Sequence, residues 1–255
     1  MVNVFGESKR GPPGEDGKPG KDALPITAWF PGQVLQWWRN QSDAVYYFED
    51  KTSGFIYRDG KRVGLKSHAI YPNGNDAISE GEIGELEELS EGYCLHFKNS
   101  LYSIPGISLA NADPMTSCLT VSFKVSAAPS ERGYIISTDA KRAISIEGEK
   151  IQVWGCENEP IEIPLQINEW NIVFIQWKEG DDFAGYIKGF DDIKHFTTSP
   201  IMKYKPGLHI GKNFDGQICA IDITNHDGQS YPEIPLNIPI EIRNLLIRDH
   251  INRTL

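Results

Sequence analysis

From residue 92 onward, apolar and polar positions alternate with a period of two. Leu119, Val121, Phe123 and Val125 fall on one side, and Thr120, Ser122 and Lys124 on the other. That spacing predicts a half-buried strand. The same rhythm returns at Tyr134-Ile135-Ile136-Ser137, Ala143-Ile144-Ser145-Ile146, Lys150-Ile151-Gln152-Val153-Trp154 and Ile161/Ile163/Leu165. Ile172-Val173-Phe174-Ile175-Gln176-Trp177 is apolar on both faces, as a central strand is. Glu147-Gly148-Glu149 and Glu179-Gly180-Asp181-Asp182 supply turns at the spacing of a two-sheet sandwich. One helix is predicted, over Pro239 to Arg253, with proline in its first turn and Ile240, Ile247 and Ile251 roughly in line. It is expected to pack on the sandwich or a neighbouring module.

Upstream the pattern is shorter. Residues 23–68 read as a small aromatic-rich β module, with β-rich runs at Val45-Tyr46-Tyr47-Phe48 and Gly54-Phe55-Ile56-Tyr57. Asp59-Gly60 then gives the strongest short hairpin signal before Arg62-Val63-Gly64-Leu65. Residues 69–91 read as an acidic linker, where Glu80, Glu82, Glu85, Glu87, Glu88 and Glu91 stand without a basic neighbour. The sandwich with its helix is assigned to 92–255.

Residues 1–22 have a different grammar. Gly11, Gly14, Gly17 and Gly20 head four consecutive Gly-X-Y triplets, with Pro13 and Pro19 in the Y position. Glycine at every third place is what the crowded axis of a triple helix demands, so this segment is expected to be collagen-like and the protein a homotrimer. The aromatic cluster that follows, Trp29, Trp37 and Trp38, is expected at the contact between three copies. Met1-Val-Asn-Val-Phe lacks a signal-peptide core, and Gly6 is out of phase with the repeat. The chain is therefore expected to be a fragment of a longer secreted or membrane-anchored protein, or to come from a virus or bacterium with another export route.

Charge and cysteine usage narrow the classes. Twenty-five Lys+Arg against thirty-five Asp+Glu give −10, which argues against a nucleic-acid or anionic-membrane surface. No apolar run approaches the ~20 residues of a membrane span. Cys94, Cys118, Cys156 and Cys219 lack CxxC spacing, so bridges in any of three full pairings, or buried thiols, remain open. Asn40 and Asn252 open the two sequons, compatible with secretion and glycosylation. His68, His96, His195, His209, His226 and His250 show no metal-ligand spacing, and no nucleophile elbow, phosphate loop or HExxH motif occurs. The paired carboxylates of a glycosidase are also missing from any strand, the nearest being the turns Glu147-Gly-Glu149 and Glu157-Asn-Glu159. No enzymatic activity is expected.

The strand order resembles a laminin-G-like, concanavalin A-like jelly roll over about residues 92–235. Leu95-His-Phe-Lys-Asn-Ser100 with Ser103-Ile-Pro105 looks like the family's first strand, and Thr120-Val-Ser-Phe-Lys-Val125 is similar to its second motif. Trp170-Asn-Ile-Val173 and Leu208-His-Ile-Gly-Lys-Asn-Phe-Asp-Gly-Gln-Ile218 resemble the later ones. The resemblance implies that the first and last strands are neighbours, and with them a Cys94–Cys219 bridge that leaves Cys118 and Cys156 free. The family's calcium site needs an aspartate where this chain has Arg142 after Lys141. Calcium is thus possible only through a substitute such as Asp139, and no cofactor is assigned. Asp181, Asp182, Asp191, Asp192, Asp222 and Asp227 read as turn residues.

These readings combine into a mostly β, non-enzymatic, collagen-tailed extracellular trimer that serves matrix structure or cell adhesion by binding a matrix protein or cell-surface partner. The alternatives are a secreted lectin recognising a cell-surface glycan, for which Trp154 and Trp177 are the rings to inspect, and a viral or phage fibre protein.

Overall fold

The computed structural model describes residues 31–40, 42–69, 75–90, 92–105, 107, 116–138, 143–154, 159–177, 182–186, 193–196, 207–226 and 240–254. The Gly-X-Y glycines Gly11, Gly14, Gly17 and Gly20 lie outside them, as do Trp29, Cys156 and Asp139.

The first element is α1 (Pro31–Asn40), followed by β1 (Ala44–Tyr47), β2 (Phe55–Arg58), β3 (Lys61–Leu65), β4 (Ala77–Ser79) and β5 (Glu85–Leu89). Then come β6 (Gly92–Lys98), β7 (Tyr102–Ile104), β8 (Thr116–Lys124), β9 (Gly133–Thr138), β10 (Ala143–Glu147) and β11 (Lys150–Trp154). The remainder is β12 (Ile161–Pro164), β13 (Asn171–Trp177), β14 (Asp182–Tyr186), β15 (Ile193–Phe196), β16 (Leu208–Ile210), β17 (Asp215–His226) and α2 (Ile240–Arg253).

Among the described residues, all pairings between named strands are antiparallel and build two sheets. The first has eight strands, ordered β15-β14-β13-β8-β17-β6-β5, with β1 also on β17; the second has nine, ordered β12-β11-β10-β9-β16-β7-β4-β3-β2. Inward-facing residues of both, including Leu95, Phe97, Tyr102, Leu119, Val121, Phe123, Ile144, Ile151, Val173, Leu208 and Ile221, form one core. The protein is thus a mostly β, two-sheet sandwich. The alternation at 119–125 becomes β8 with Leu119, Val121 and Phe123 inside, and the first and closing motifs pair as β6 against β17. Asp59 and Gly60 both take positive φ, 51° and 74°, the requirement of a tight two-residue hairpin turn, and join β2 to β3 as their sequence demands.

The expected division at 68 and 92 does not survive. Ala44, Tyr46, Phe48, Phe55 and Leu65 share the single sandwich core, β1 pairs with β17, and β2 and β3 extend the nine-stranded sheet. The expected linker contributes β4 and β5. A segment too short to bury its own apolar face completes a core shared with strands as near in the chain as β4 and as far as β17. Non-local pairing of this kind leaves no local signal.

The aromatic cluster is likewise reassigned. Residues 31–40 form a helix, with Val34 and Trp38 one turn apart on one face. Trp38 is 1% exposed and packs with Val34, Cys118, Ile172, Phe174, Leu246 and Ile247 in a second cluster between the helices and the outer side of the eight-stranded sheet. It is a core residue and is not available as a trimer contact; the side chain of Trp37 lies outside the described residues. Among described helices, none is long and apolar enough to cross a membrane.

Candidate binding face

The outward sides of the two sheets are built differently. On the eight-stranded sheet, Cys118 of β8 and Ile172 and Phe174 of β13 point outward and are covered by α1 and α2. Asp222 of β17 stands on the same side, 3% exposed. Arg39 of α1 grips it with Nε at 3.1 Å and Nη2 at 3.2 Å, and His250 of α2 meets it through Nε2 at 2.8 Å. Arg39 also reaches Asp249 at 2.6 Å, and Arg253 holds Asp249 at 2.8 Å. Burial alone pushes the Asp222 carboxyl up, but the Arg39 charge and the His250 hydrogen bond override it and hold it well below the usual carboxylate range. Asp249 shifts down for the same reasons, through Arg39 and Arg253. This side is a locked helix–sheet joint. Asp222, which reads in sequence as a turn residue, is its centre.

The nine-stranded sheet carries no described helix. Its registers place one residue of each of eight successive strands in a single outward row. Ile56 opposes Gly64, Gly64 opposes Ile78, and Ile78 opposes Ser103. Ser103 opposes His209, His209 opposes Ser137, Ser137 opposes Ala143, and Ala143 opposes Trp154. Seven inter-strand steps of ~4.8 Å make the row about 34 Å long. Its ends are apolar, with Ile56 at one and, two strands in, Ile78 at 45% exposure, and the partly exposed Trp154 at the other. Its middle is low and polar. A Cβ on Gly64 would stand 2.3 Å from the Ala77 carbonyl oxygen and 3.2 Å from Ile56 Cδ1, so the glycine lets Ile56 lie flat across β3.

Two hydrogen-bonded groups hold polar side chains in place along the row. Beside Trp154, the indole Nε1–H donates to Ser145 Oγ at 2.8 Å, and Ser145 Oγ–H donates to Gln152 Oε1 at 3.3 Å. The Arg132 guanidinium lies 4.8 Å from the centre of the Trp154 ring and is fixed there by Glu147 at 2.6 Å. Burial works weakly against the Arg132 charge while the Glu147 hydrogen bond, the larger influence, raises its pKa. Further along, Ser103 Oγ meets both Glu80 Oε1 and, at 3.0 Å, His209 Nδ1.

Serine, histidine and glutamate here do not make a nucleophilic triad. The serine sits between the other two, and β7 is paired on both sides, by β4 and β16. Its backbone N–H groups therefore belong to the ladders rather than to an oxyanion site. The row thus presents the Ser103 hydroxyl, the His209 imidazole and the Glu80 carboxylate to solvent, while the Ser145 hydroxyl and Gln152 amide beneath Trp154 are buried.

Other sequence-expected residues fall elsewhere. Cys94 and Cys219 lie on neighbouring strands, one position beyond the Leu95–Ile218 pair, as the resemblance implies, yet both are free and buried, as is Cys118. Cys219 occupies a bulge in β17 and donates its Sγ–H to the Arg253 carbonyl at 3.0 Å. Burial pushes both thiols up to about 12. His96 faces out between Glu87 at 2.7 Å and Asp215 at 3.3 Å. Asn252 is exposed on α2, whereas the side chains of Asn40 and Trp177 lie outside the described residues. No group of three or more potential metal ligands occurs among the described residues. Trp154 was legible as a candidate ring; Ser103, His209 and Glu80 were not singled out together, because only tertiary pairing brings positions 80, 103 and 209 to one place.

No family model matches the chain, and no curated protein matches it in sequence. Solved structures do share the fold. The binding domain of botulinum neurotoxin DC in complex with SialylT superposes with a TM-score of 0.53 at 13% identity, covering 83% of this chain and 52% of that one. The same toxin domain in complex with rat synaptotagmin II gives 0.51 at 11%, covering 82% and 52%. A Trypanosoma rangeli sialidase in complex with a difluoro-KDN gives 0.52 at 9%, covering 94% and 35%. The chain thus spans about half the length of the toxin domains and about a third of the sialidase. At these identities the likeness establishes the sandwich fold.

Proposed function

We propose that the protein is an extracellular, non-enzymatic glycan-binding head whose ligand lies along the outer face of the nine-stranded sheet. The observation that carries this reading is the uncovered row from Ile78 through Ser103, His209 and Ser137 to Trp154. Sugars present apolar C–H faces and a rim of hydroxyls, and the row supplies a ring to stack on beside pre-positioned polar groups. Arg132 braces the partly exposed ring of Trp154. The face suits a sugar better than a protein partner, since the polar Ser103, His209 and Ser137 separate the exposed Ile78 from Trp154 along the row. The reading draws support from the fold-mates, whose complexes hold SialylT, rat synaptotagmin II and a difluoro-KDN.

The matrix-protein partner expected from the collagen-like segment has no comparable surface in its favour. Carriage on a Gly-X-Y stem remains part of the proposal. Three heads on one stem would convert weak single-site binding into avidity, a gain on the order of 10²–10⁴. The test is glycan-array binding of the full chain and of Trp154→Ala. Loss of array signal in a variant with an unchanged unfolding midpoint supports the reading, and equal binding by both proteins refutes the site.

A further inference from the structure

The chemistry at the middle of the row specifies which glycans it accepts, an inference that rests on the glycan-binding reading above. We infer that this face selects uncharged, polyhydroxylated oligosaccharides and rejects sialylated and sulfated ones.

The argument starts from one proton. Ser103 has a single O–H, and its Oγ is within hydrogen-bond distance of two groups, Glu80 Oε1 and His209 Nδ1. A carboxylate only accepts, and a hydrogen bond to an ionised acceptor is about twice as strong as a neutral one. The Ser103 proton therefore goes to Glu80. Ser103 Oγ must then accept from His209, which places the imidazole proton on Nδ1. In its neutral form the ring then carries a bare lone pair on Nε2. The hydrogen-bond network thus assigns the tautomer.

Nε2 has no partner among the described residues, and His209 is directed outward between Ser103 and Ser137. Whatever meets it must bring a proton. A sugar hydroxyl does so; a carboxylate or sulfate brings only lone pairs against a lone pair.

The surrounding charges act in the same direction. Glu80 stands at the centre of the row with no cation paired to it among the described ion pairs. The cations near Trp154 are already committed, Arg132 to Glu147 at 2.6 Å and Lys150 to Glu162 at 2.5 Å. Arg62, toward the β2 end, lies over the Phe55 ring at 4.9 Å. The chain as a whole carries −10. An anionic sugar would find an acceptor, a carboxylate and a repelling field where it needs a free guanidinium. The row's length of about 34 Å, set by eight paired strands, further suits an extended chain of several sugars over a single terminal residue.

The test probes the full chain and His209→Ala on an array of matched neutral, sialylated and sulfated oligosaccharides, followed by titration of lacto-N-neotetraose and its α2,3-sialylated derivative. Binding confined to neutral members, weakened at least tenfold in His209→Ala, is expected. Preference for the sialylated or sulfated member of a pair overturns this inference while leaving the glycan-binding reading standing. Absence of binding to every glycan overturns that reading itself. An independent readout is the ¹⁵N spectrum of His209 in the ligand-free protein near neutral pH. A protonated Nδ1 and bare Nε2 are expected, and the opposite tautomer overturns the acceptor argument whatever the array shows.

Discussion

Two outer faces of one sandwich start from the same alternating strands and end in opposite conditions. On the eight-stranded sheet, the outward side chains Cys118, Ile172 and Phe174 are roofed by α1 and α2, and the polar group among them, Asp222, is bound by Arg39 and His250. On the nine-stranded sheet, outward Ser103, His209, Ser137 and Trp154 keep contact with solvent. The first face spends its polar chemistry on holding the fold together. The second leaves its polar chemistry in reach of solvent, where the proposed ligand would meet it. The difference teaches that a buried charge cluster and an exposed polar row have different consequences when perturbed, one for stability and the other for binding.

The sharpest way to break the comparison is Asp222→Ala. It leaves the buried Arg39 with Asp249 alone and His250 without its acceptor, and removing one partner of a buried pair costs about 3–5 kcal/mol. Trp38→Ala on the same face is expected to cost a similar ~3–5 kcal/mol through the cavity it opens. Denaturant unfolding measures both. Wild-type-like midpoints would show that the helices are not anchored through this joint.

Acid acts on the same joint with less force. Asp222 and Asp249 have folded-state pKa values below their unfolded ones, so their stabilisation is complete above about pH 4, the unfolded carboxylate value, and falls away as pH drops below it. In Asp222→Asn the steepest part of that loss should flatten. Thermal melts at pH 2–6 decide this, and superimposable profiles would remove Asp222 as the acid-sensitive group.

On the open face the expected signs reverse. Trp154→Ala should weaken glycan affinity at least tenfold, about 1.4 kcal/mol in binding, with stability changed by less than about 1 kcal/mol. A variant that unfolds instead would mean that Trp154 belongs to the core. The smallest effect is expected from Lys150→Ala. Its pair with Glu162 is about half exposed on each side, 55% and 45%, and such pairs contribute roughly 0–1 kcal/mol, less in salt. A larger loss would show that this edge of the sheet is more tightly coupled than exposure indicates.

How much of this was legible in sequence depends on the range of the cause. The strands from β8 to β13 follow from alternation, and the β2–β3 turn follows from Asp59-Gly60. The apolar run Ile172 to Trp177 announced a covered strand on both sides, and Ile172 and Phe174 do meet the helix cluster. Residues 31–38 misled, because an aromatic-rich run after Gly-X-Y triplets reads as β or contact surface. In the structure Val34 and Trp38, one helical turn apart, cover the sheet. The glutamate run of 80–91 read as solvated linker, yet Glu87 pairs with His96 and Glu80 with Ser103.

What the chain determined by itself is its local grammar: period-two strands, a tight hairpin at an Asp-Gly pair and a C-terminal helix. Each rests on neighbours a few residues apart, where side-chain spacing and backbone sterics act directly. Which polar residues would be sealed and which would stay open was decided only in three dimensions. Thr120, Ser122 and Asp222 look no different in sequence from Ser103, Ser137 and His209. The first three are sealed within the helix-roofed side and the last three stay in reach of solvent, since the placement of two helices from opposite ends of the chain selects the side that is roofed.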